Sequence, residues 1–262
     1  MRWVFLIVCV TAAAAPPKYV VTVLIDDAGW YDTTVNNPES PTPRLQELAD
    51  QGIRLDRHYA YMLCSPSRRS FLSGRYPVSI SGQQADTCSD YLPLNFTLLS
   101  HKMKAAGFVN HFVGKGHLGE WKKRTSPNFL CGALTHACRQ TSRSQGYLTE
   151  DHLPINRGWD THVGYLNAHE NYTYGGSLEP ATHSKDFWHD HLPGDDLVDQ
   201  IWYSTNWYTT RAVDIVNQHP LEKPLWIHLP YQAIHAPYQE PPVWEWYNVS
   251  DPVTDSSHSH SP

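Results

Sequence analysis

The chain has 262 residues, 40 % of them hydrophobic, with 10 Trp and 15 Tyr; this is a globular protein with apolar material for one substantial core. Its net charge is -6, and its Lys and Arg are scattered rather than clustered. A nucleic-acid binder needs a basic stripe, so that partner class is excluded.

The first elements in chain order are a leader and a strand. Residues 1–15, "MRWVFLIVCVTAAAA", have a basic start at Arg2, an apolar stretch from Trp3 to Val10 and small residues at Ala12 to Ala15, with a Pro16-Pro17 break behind them. This is the pattern of a secretory signal peptide, with a buried first strand as the lesser alternative. No later apolar run is long enough to cross a bilayer, so no membrane span is expected. "YVVTVLIDD" is a β-branched apolar run that predicts a buried strand delivering Asp26 and Asp27 at its carboxyl end.

"TPRLQELADQG" predicts a helix with Thr42 as N-cap, Pro43 at the first turn and Gly52 past the end. A second strand is expected near residues 53–59, a helix after Cys64, and another over "TLLSHKMKAAG", stopped by Gly107. "FVNHFVGK" reads as a strand, the stretch from Trp202 to Gln218 as a helix, and "PLWIHLPYQ" as a strand leading to His235. This alternation predicts an α/β fold, a mostly parallel mixed sheet with helices on both faces. In such sheets ligands sit beyond the carboxyl ends of the strands. Asp26, Asp27, Lys115, His117 and His235 all follow strands and are expected in one crevice.

The stretch from Arg124 to Asp151 is polar and aperiodic, and residues 251–262, "DPVTDSSHSHSP", have no pattern able to bury a face, so a disordered tail is expected. With Cys9 in the leader, Cys64, Cys88, Cys131 and Cys138 remain. Cys131 and Cys138 could close a short loop, but the pairing is open. Sequons at Asn95, Asn171 and Asn248 agree with export. The cluster "HDHLPGDD" from His189 to Asp196 has metal-ligand chemistry, but reads better as a solvated loop near a substrate mouth.

Cys64 heads the pattern Cys64-x-Pro66-Ser67-Arg68, followed by Leu72-x-Gly74-Arg75. Alone, such a thiol is a small buried hydrophobe, a disulfide partner or an activated nucleophile. The whole pattern resembles the signature of the sulfatase family. The resemblance runs from about Tyr19 to Tyr247 through "LIDDAGWYD", "GKGHLGEW", "NRGWDTHVGYL", "YSTNWYTTRAVDIVNQHPLEKPLW" and "QAIHAPYQEP". It is nearest the arylsulfatase B-like (N-acetylgalactosamine-4-sulfatase) branch. It implies that residues 16–250 form the amino-terminal catalytic domain of an alkaline phosphatase/sulfatase-like fold, with the carboxyl-terminal subdomain missing.

The resemblance further implies that Cys64 becomes Cα-formylglycine through a formylglycine-generating enzyme of the secretory route, placing the protein in the lysosome or outside the cell. It implies one Ca²⁺ held by Asp26, Asp27 and residue 64, since a hard ion takes about six to eight oxygen ligands. Arg68 would stabilise the aldehyde hydrate, and Lys115 and His235 would hold the sulfate. One hydroxyl at residue 64 attacks sulfur, His235 or Lys115 protonates the departing oxygen, and His117 takes the second hydroxyl's proton, which expels sulfate and restores the aldehyde. The implied substrates are aryl sulfates or sulfated glycans, above all glycosaminoglycan sugars.

The family's downstream Asp-Asn ligand pair has no counterpart here, and Gly116 stands where the family carries Trp. A second reading is therefore an inactive sulfatase-like fragment that at most binds sulfated glycans. A third, a phosphate-ester hydrolase of the alkaline phosphatase superfamily, is opposed by the Cys-x-Pro-Ser-Arg pattern.

Overall fold

A computed structural model of the chain describes residues 5–9, 19–80, 92–118, 150–173, 186–194, 197, 201 and 203–241, with backbone alone at 5–9. Seven strands form one sheet in the order β1-β2-β7-β3-β4-β5-β6. They are β1 (Phe5–Cys9), β2 (Tyr19–Leu24), β3 (Val109–Val113), β4 (Thr161–Gly164), β5 (Trp188–His189), β6 (Leu192–Pro193) and β7 (Leu225–Pro230). The central four are parallel, β2 and β3 each pairing with β7 and β4 with β3, while β1, β5 and β6 add antiparallel edges.

β7 is central, and its six residues are all buried, as a parallel strand covered on both faces requires. Alternation splits it. Leu225, Ile227 and Leu229 join Val113, Tyr208 and Ala212 on one face, under helix α4 (Ser204–Gln218). Trp226 points the other way, into a cluster with Phe112, Trp159 and Leu72, covered by α2 (Cys64–Ser73) and α3 (Leu99–Ala105). Helices therefore lie on both faces, as the α/β expectation has it.

Helix α1 (Pro43–Gln51) has the anticipated limits between Thr42 and Gly52, but buries no residue. The strand anticipated near residues 53–59 does not form. Ile53 is 89 % and Leu55 59 % exposed, because no described strand offers that segment a pairing edge and period-2 apolarity alone cannot satisfy a backbone.

β1 lies in the stretch assigned from sequence to the leader. In the full chain it pairs with β2 from Phe5 opposite Leu24 to Cys9 opposite Val20, covering an edge that would otherwise present unpaired N–H and C=O groups. The cluster from His189 is a hairpin rather than an open loop. Asp190 turns it at φ 54°, and its carboxylate accepts from the His162 N–H at 2.8 Å, closing the end of β4. Cys88, Cys131, Cys138, Asn248, most of the stretch from Arg124 to Asp151 and the tail from Asp251 lie outside the described residues.

The "NRGWD" block is mainly scaffold. The Arg157 guanidinium donates to the carbonyls of Leu92, Pro93 and Phe96 at 3.0–3.3 Å. Asp160 accepts from the Asn110 N–H at 2.9 Å and pairs with Lys104 at 2.9 Å. Those bonds fasten α3 and the start of β3 to β4, and so fix the level at which the strand ends emerge.

Candidate active site

The carboxyl ends of β2, β7 and β3 lie side by side, and from each a short turn presents titratable groups. After β2 the chain stops being a strand because the Asp26 N–H donates to the Ala233 carbonyl at 2.8 Å and the Asp26 carbonyl accepts from the Ile234 N–H at 2.7 Å. That exchange ties the Asp26-Asp27 turn to the loop carrying His235. Asp27 then takes φ 57°, a left-handed position that Asp tolerates better than most residues, and its side chain leaves the line of the strand.

The turn after β3 is held from both sides. The Lys115 N–H donates to the Pro230 carbonyl at 2.8 Å, whereas those of Gly114, Gly116 and His117 donate to Val163, Tyr165 and Leu166 at 2.9, 2.8 and 3.1 Å. Gly114 lies at φ 123° and Gly164 at φ 150°, where a Cβ on Gly164 would run into the Gly114 carbonyl. Glycine is required at this crossing. Gly116, where the family expectation has Trp, leaves His117 no less buried, at 4 % exposure, because backbone bonds hold the turn.

Asp26 is the centre of the arrangement. Its carboxylate, Lys115 and Arg68 are all buried; Oδ2 binds the Lys115 ammonium and lies 3.4 Å from the Arg68 guanidinium. Burial alone would raise the Asp26 pKa, but Lys115 and Arg68 outweigh it and hold the carboxyl below the usual carboxylate range. Arg68 also donates to the Lys115 carbonyl at 3.3 Å. Asp27 behaves oppositely. Burial first, and then the Asp26 charge, raise its carboxyl above the usual range.

Arg68 reaches this centre from the first turns of α2, where Ser65 to Arg69 are all buried. Cys64 is the first residue of that helix and half-buried, and among the described residues its thiol is free. It lies one turn before Arg68, and residues four apart share a helix face. The amino-terminal end of α2 also places the positive pole of its dipole at residue 64.

His117 adopts φ 51°, and its Nδ1 is buried with no hydrogen-bond partner among the described residues. Burial, then Lys115 and Arg68, push its pKa well below the histidine range, so the imidazole is neutral and keeps a lone pair. His235 is half-buried. Its Nδ1 lies 2.6 Å from the Ala236 carbonyl, which can only accept, so Nδ1 carries hydrogen. Nε2 faces the Asp27 carboxylate at 3.7 Å.

The fold thus places Asp26, Asp27, Lys115, His117 and His235 at the carboxyl ends of neighbouring strands, links Asp26 directly to Arg68 and Lys115 and Asp27 to His235, and sets Cys64 one turn before Arg68 on α2. It adds residues that sequence reasoning passed over. The His169 ring stacks on His235 at a centroid separation of 6.0 Å, and the Tyr172 hydroxyl donates to the His235 carbonyl at 2.8 Å. Gln232 exchanges side-chain bonds with the Glu170 N–H and carbonyl at 2.7 and 2.8 Å. His169, Glu170 and Tyr172 lie just past the quoted block "NRGWDTHVGYL" and Gln232 opens the quoted block "QAIHAPYQEP"; their signal was polar and aromatic residues in loops that leave buried strands.

The oxygen chemistry suits a hard cation. Asp26 Oδ1 is buried without a partner among the described residues, and the Asp27 carboxylate is the next residue. Among the described residues no group of three or more His, Cys, Asp and Glu gathers as a ready metal cage. The Asp26 and Asp27 carboxylates are oxygen donors of the kind such a cation takes.

A family model described as Sulfatase matches residues 18–259. The chain is 31 % identical over 235 residues to arylsulfatase J of Mus musculus, an alignment covering 88 % of this chain and 34 % of that protein. It is 29 % identical over 246 residues to N-acetylgalactosamine-6-sulfatase of Mus musculus, covering 86 % of this chain and 42 % of that one. It shares its fold with a solved structure titled as BT4656 in complex with its substrate D-glucosamine-2-N,6-O-disulfate, at TM-score 0.58 and 18 % identity over 85 % of this chain and 35 % of the other. The chain spans well under half the length of the curated relatives it matches.

Proposed function

The chain belongs to the sulfatase family, and from that premise we propose that its site hydrolyses sulfate esters of glycan sugars through a Cα-formylglycine made from Cys64. The observation that carries the reading is the buried Asp26 carboxylate held between Lys115 and Arg68, the latter one turn after Cys64 on α2. A sulfate ester is anionic and repels nucleophiles, so catalysis needs cations and donors fixed where charge develops. This site concentrates them at the carboxyl edge of the sheet.

Ca²⁺ held by Asp26 and Asp27, together with the aldehyde hydrate at residue 64, would supply neutralising charge and the attacking hydroxyl. The remaining work falls to the chain's own side chains. Arg68 orients residue 64 and Asp26 at once. Lys115 sets the charge balance of the pocket and draws the sulfate oxygens in. His235, carrying a proton on Nε2 as well as the Nδ1–H on the Ala236 carbonyl, gives the Nε2 proton to the departing sugar oxygen, a role better suited to it than to Lys115, because its side chain is 22 % exposed whereas the ammonium is fully buried on Asp26. His117, neutral and with Nδ1 unengaged, accepts the proton of the second hydroxyl at residue 64.

The proposal extends to maturation by a formylglycine-generating enzyme in the secretory pathway, behind a signal peptide at residues 1–15, and to a lysosomal or extracellular destination. Among the described residues no helix is long and apolar enough to cross a membrane. Its narrower form, an arylsulfatase B-like enzyme acting on the 4-sulfate of N-acetylgalactosamine, rests on the sequence blocks. The names of the relatives, an arylsulfatase and a 6-sulfatase, and the disulfated glucosamine in BT4656, support a sulfated sugar rather than one position on it.

The test is sulfate release from an aryl sulfate by the purified chain while Ca²⁺ is titrated. Saturable, Ca²⁺-dependent turnover is expected. Glycan binding without turnover at any Ca²⁺ concentration would establish instead the inactive, glycan-binding fragment.

A further inference from the structure

We propose that His169 is a positioning residue for this reaction, holding the His235 imidazole by face-to-face packing so that Nε2 points toward Asp27 and the departing oxygen of the ester. The role rests on the sulfatase reading of the site, but the packing on which it depends does not.

Two constraints are needed to fix an imidazole, one on its edge and one on its face. The edge is fixed by the Nδ1–H donating to the Ala236 carbonyl at 2.6 Å. That bond alone leaves the ring free to swing about it, carrying Nε2 away from the Asp27 carboxylate 3.7 Å distant. The face is covered by His169, whose ring lies nearly parallel at an interplanar angle of 17° and a centroid separation of 6.0 Å. Offset stacking of flat rings at such separations is favourable in its own right.

His169 can act as a wall because its loop is sewn to the loop of His235. The Glu170 N–H donates to the Gln232 side-chain carbonyl at 2.7 Å, and the Gln232 amide returns a bond to the Glu170 carbonyl at 2.8 Å. The Tyr172 N–H donates to the Gln239 side chain at 2.8 Å, and the Tyr172 hydroxyl to the His235 carbonyl at 2.8 Å. The Tyr172 ring is itself stacked on Tyr203, at the start of α4, at 5.4 Å. These bonds flank both histidines in sequence, so the two rings cannot part without breaking them. Gln232 and Glu170 are buried, where a lost hydrogen bond is costly.

The experiment compares His169→Ala and His169→Phe with the parent in the full chain, with ring nitrogens labelled so that long-range proton–nitrogen spectra report the His235 tautomer. The parent shows a single Nδ1–H signature. The Ala variant is expected to lose or average it, and the Phe variant to retain it. Where the parent turns over an aryl sulfate, the Ala variant should lose about tenfold in kcat with KM nearly unchanged, the pattern of a misplaced catalytic group, and Phe should restore most of that loss. An unchanged His235 signature in the Ala variant, or a Phe variant as impaired as Ala, overturns the proposal. A parent without turnover overturns the sulfatase reading instead, while the tautomer spectra still decide the role of His169.

Discussion

Replacing Asp26 by Asn and Asp27 by Asn, one at a time, should have opposite consequences although the residues adjoin and their side chains are nearly isosteric. Asp26 is fully buried, with the Lys115 ammonium, also fully buried, on Oδ2 and Arg68 at 3.4 Å. Asp26→Asn leaves both cations without a full counter-charge, and breaking a buried ion pair from one side costs about 3–5 kcal/mol. Asp27 is partly exposed, and its ionised form is disfavoured by burial and by Asp26. Asp27→Asn removes a repulsion and should lie within about 1 kcal/mol of the parent. Urea unfolding in the presence of a chelator measures both. With a slope of roughly 2–3 kcal/mol/M, the Asp26 variant should lose at least ~1 M in midpoint and the Asp27 variant almost nothing.

The pH dependence carries the same sign information. The folded pKa of Asp26 lies below the ordinary value, so its contribution is present above the usual carboxylate range and disappears only as pH falls through that depressed value. Asp27, with a raised folded pKa, gains stability as pH falls through the raised value. A Lys115→Met change made on top of Asp26→Asn should recover part of the loss, because it removes one stranded cation. Equal losses from the two Asn variants, or strict additivity in the double variant, would refute the assignment of Asp26 as the charge centre.

Cys64→Ala should abolish sulfate release while leaving the unfolding midpoint within about 1 kcal/mol of the parent, and equal turnover in the two would refute the assigned nucleophile. Gly164→Ala should cost about 3 kcal/mol or prevent folding, because the new Cβ at φ 150° meets the Gly114 carbonyl; thermal melting of soluble protein decides. His162 and His228 are fully buried, and burial first, then His189 beside His162 and Arg68 beside His228, lower both pKa values to about 3. The unfolded chain therefore takes up protons first, and stability should fall by up to about 1.4 kcal/mol per pH unit per histidine as pH drops from 6.5 toward 3. Both ring nitrogens of His162 are buried without a hydrogen-bond partner among the described residues, so His162→Leu should flatten that slope in melts between pH 7 and pH 4.5 at little cost at pH 7. In material from a secretory host, peptide mapping should find a glycan at Asn95, in an exposed stretch, and none at Asn171, whose side chain is buried and accepts from the Thr173 N–H and hydroxyl.

The central strands were legible because a buried parallel strand leaves an unbroken apolar run, as in Leu225 to Pro230, and Asp26, Asp27, Lys115, His117 and His235 because each follows such a run, whereas Cys64 and Arg68 were marked by the Cys-x-Pro-Ser-Arg pattern. Thr42, Pro43 and Gly52 marked α1 for the same local reason. The failure at residues 53–59 is also physical. Whether "IRLDRHY" becomes a strand depends on a partner edge, which no local pattern encodes. The same limit left β1 as the lesser alternative to a leader, since its pairing with β2 is not encoded in its own apolar run. His169 and Tyr172 escaped notice because their function depends on a loop-to-loop register fixed by Gln232 and Gln239, a contact across more than sixty positions with no sequence periodicity.

The most direct measurement is mass spectrometry of the peptide spanning residue 64, taken from protein matured in a secretory host. The account predicts the aldehyde in place of the thiol at Cys64, with Ser65 and Ser67 unmodified. An unconverted thiol, or residue 64 joined in a cystine, would contradict it.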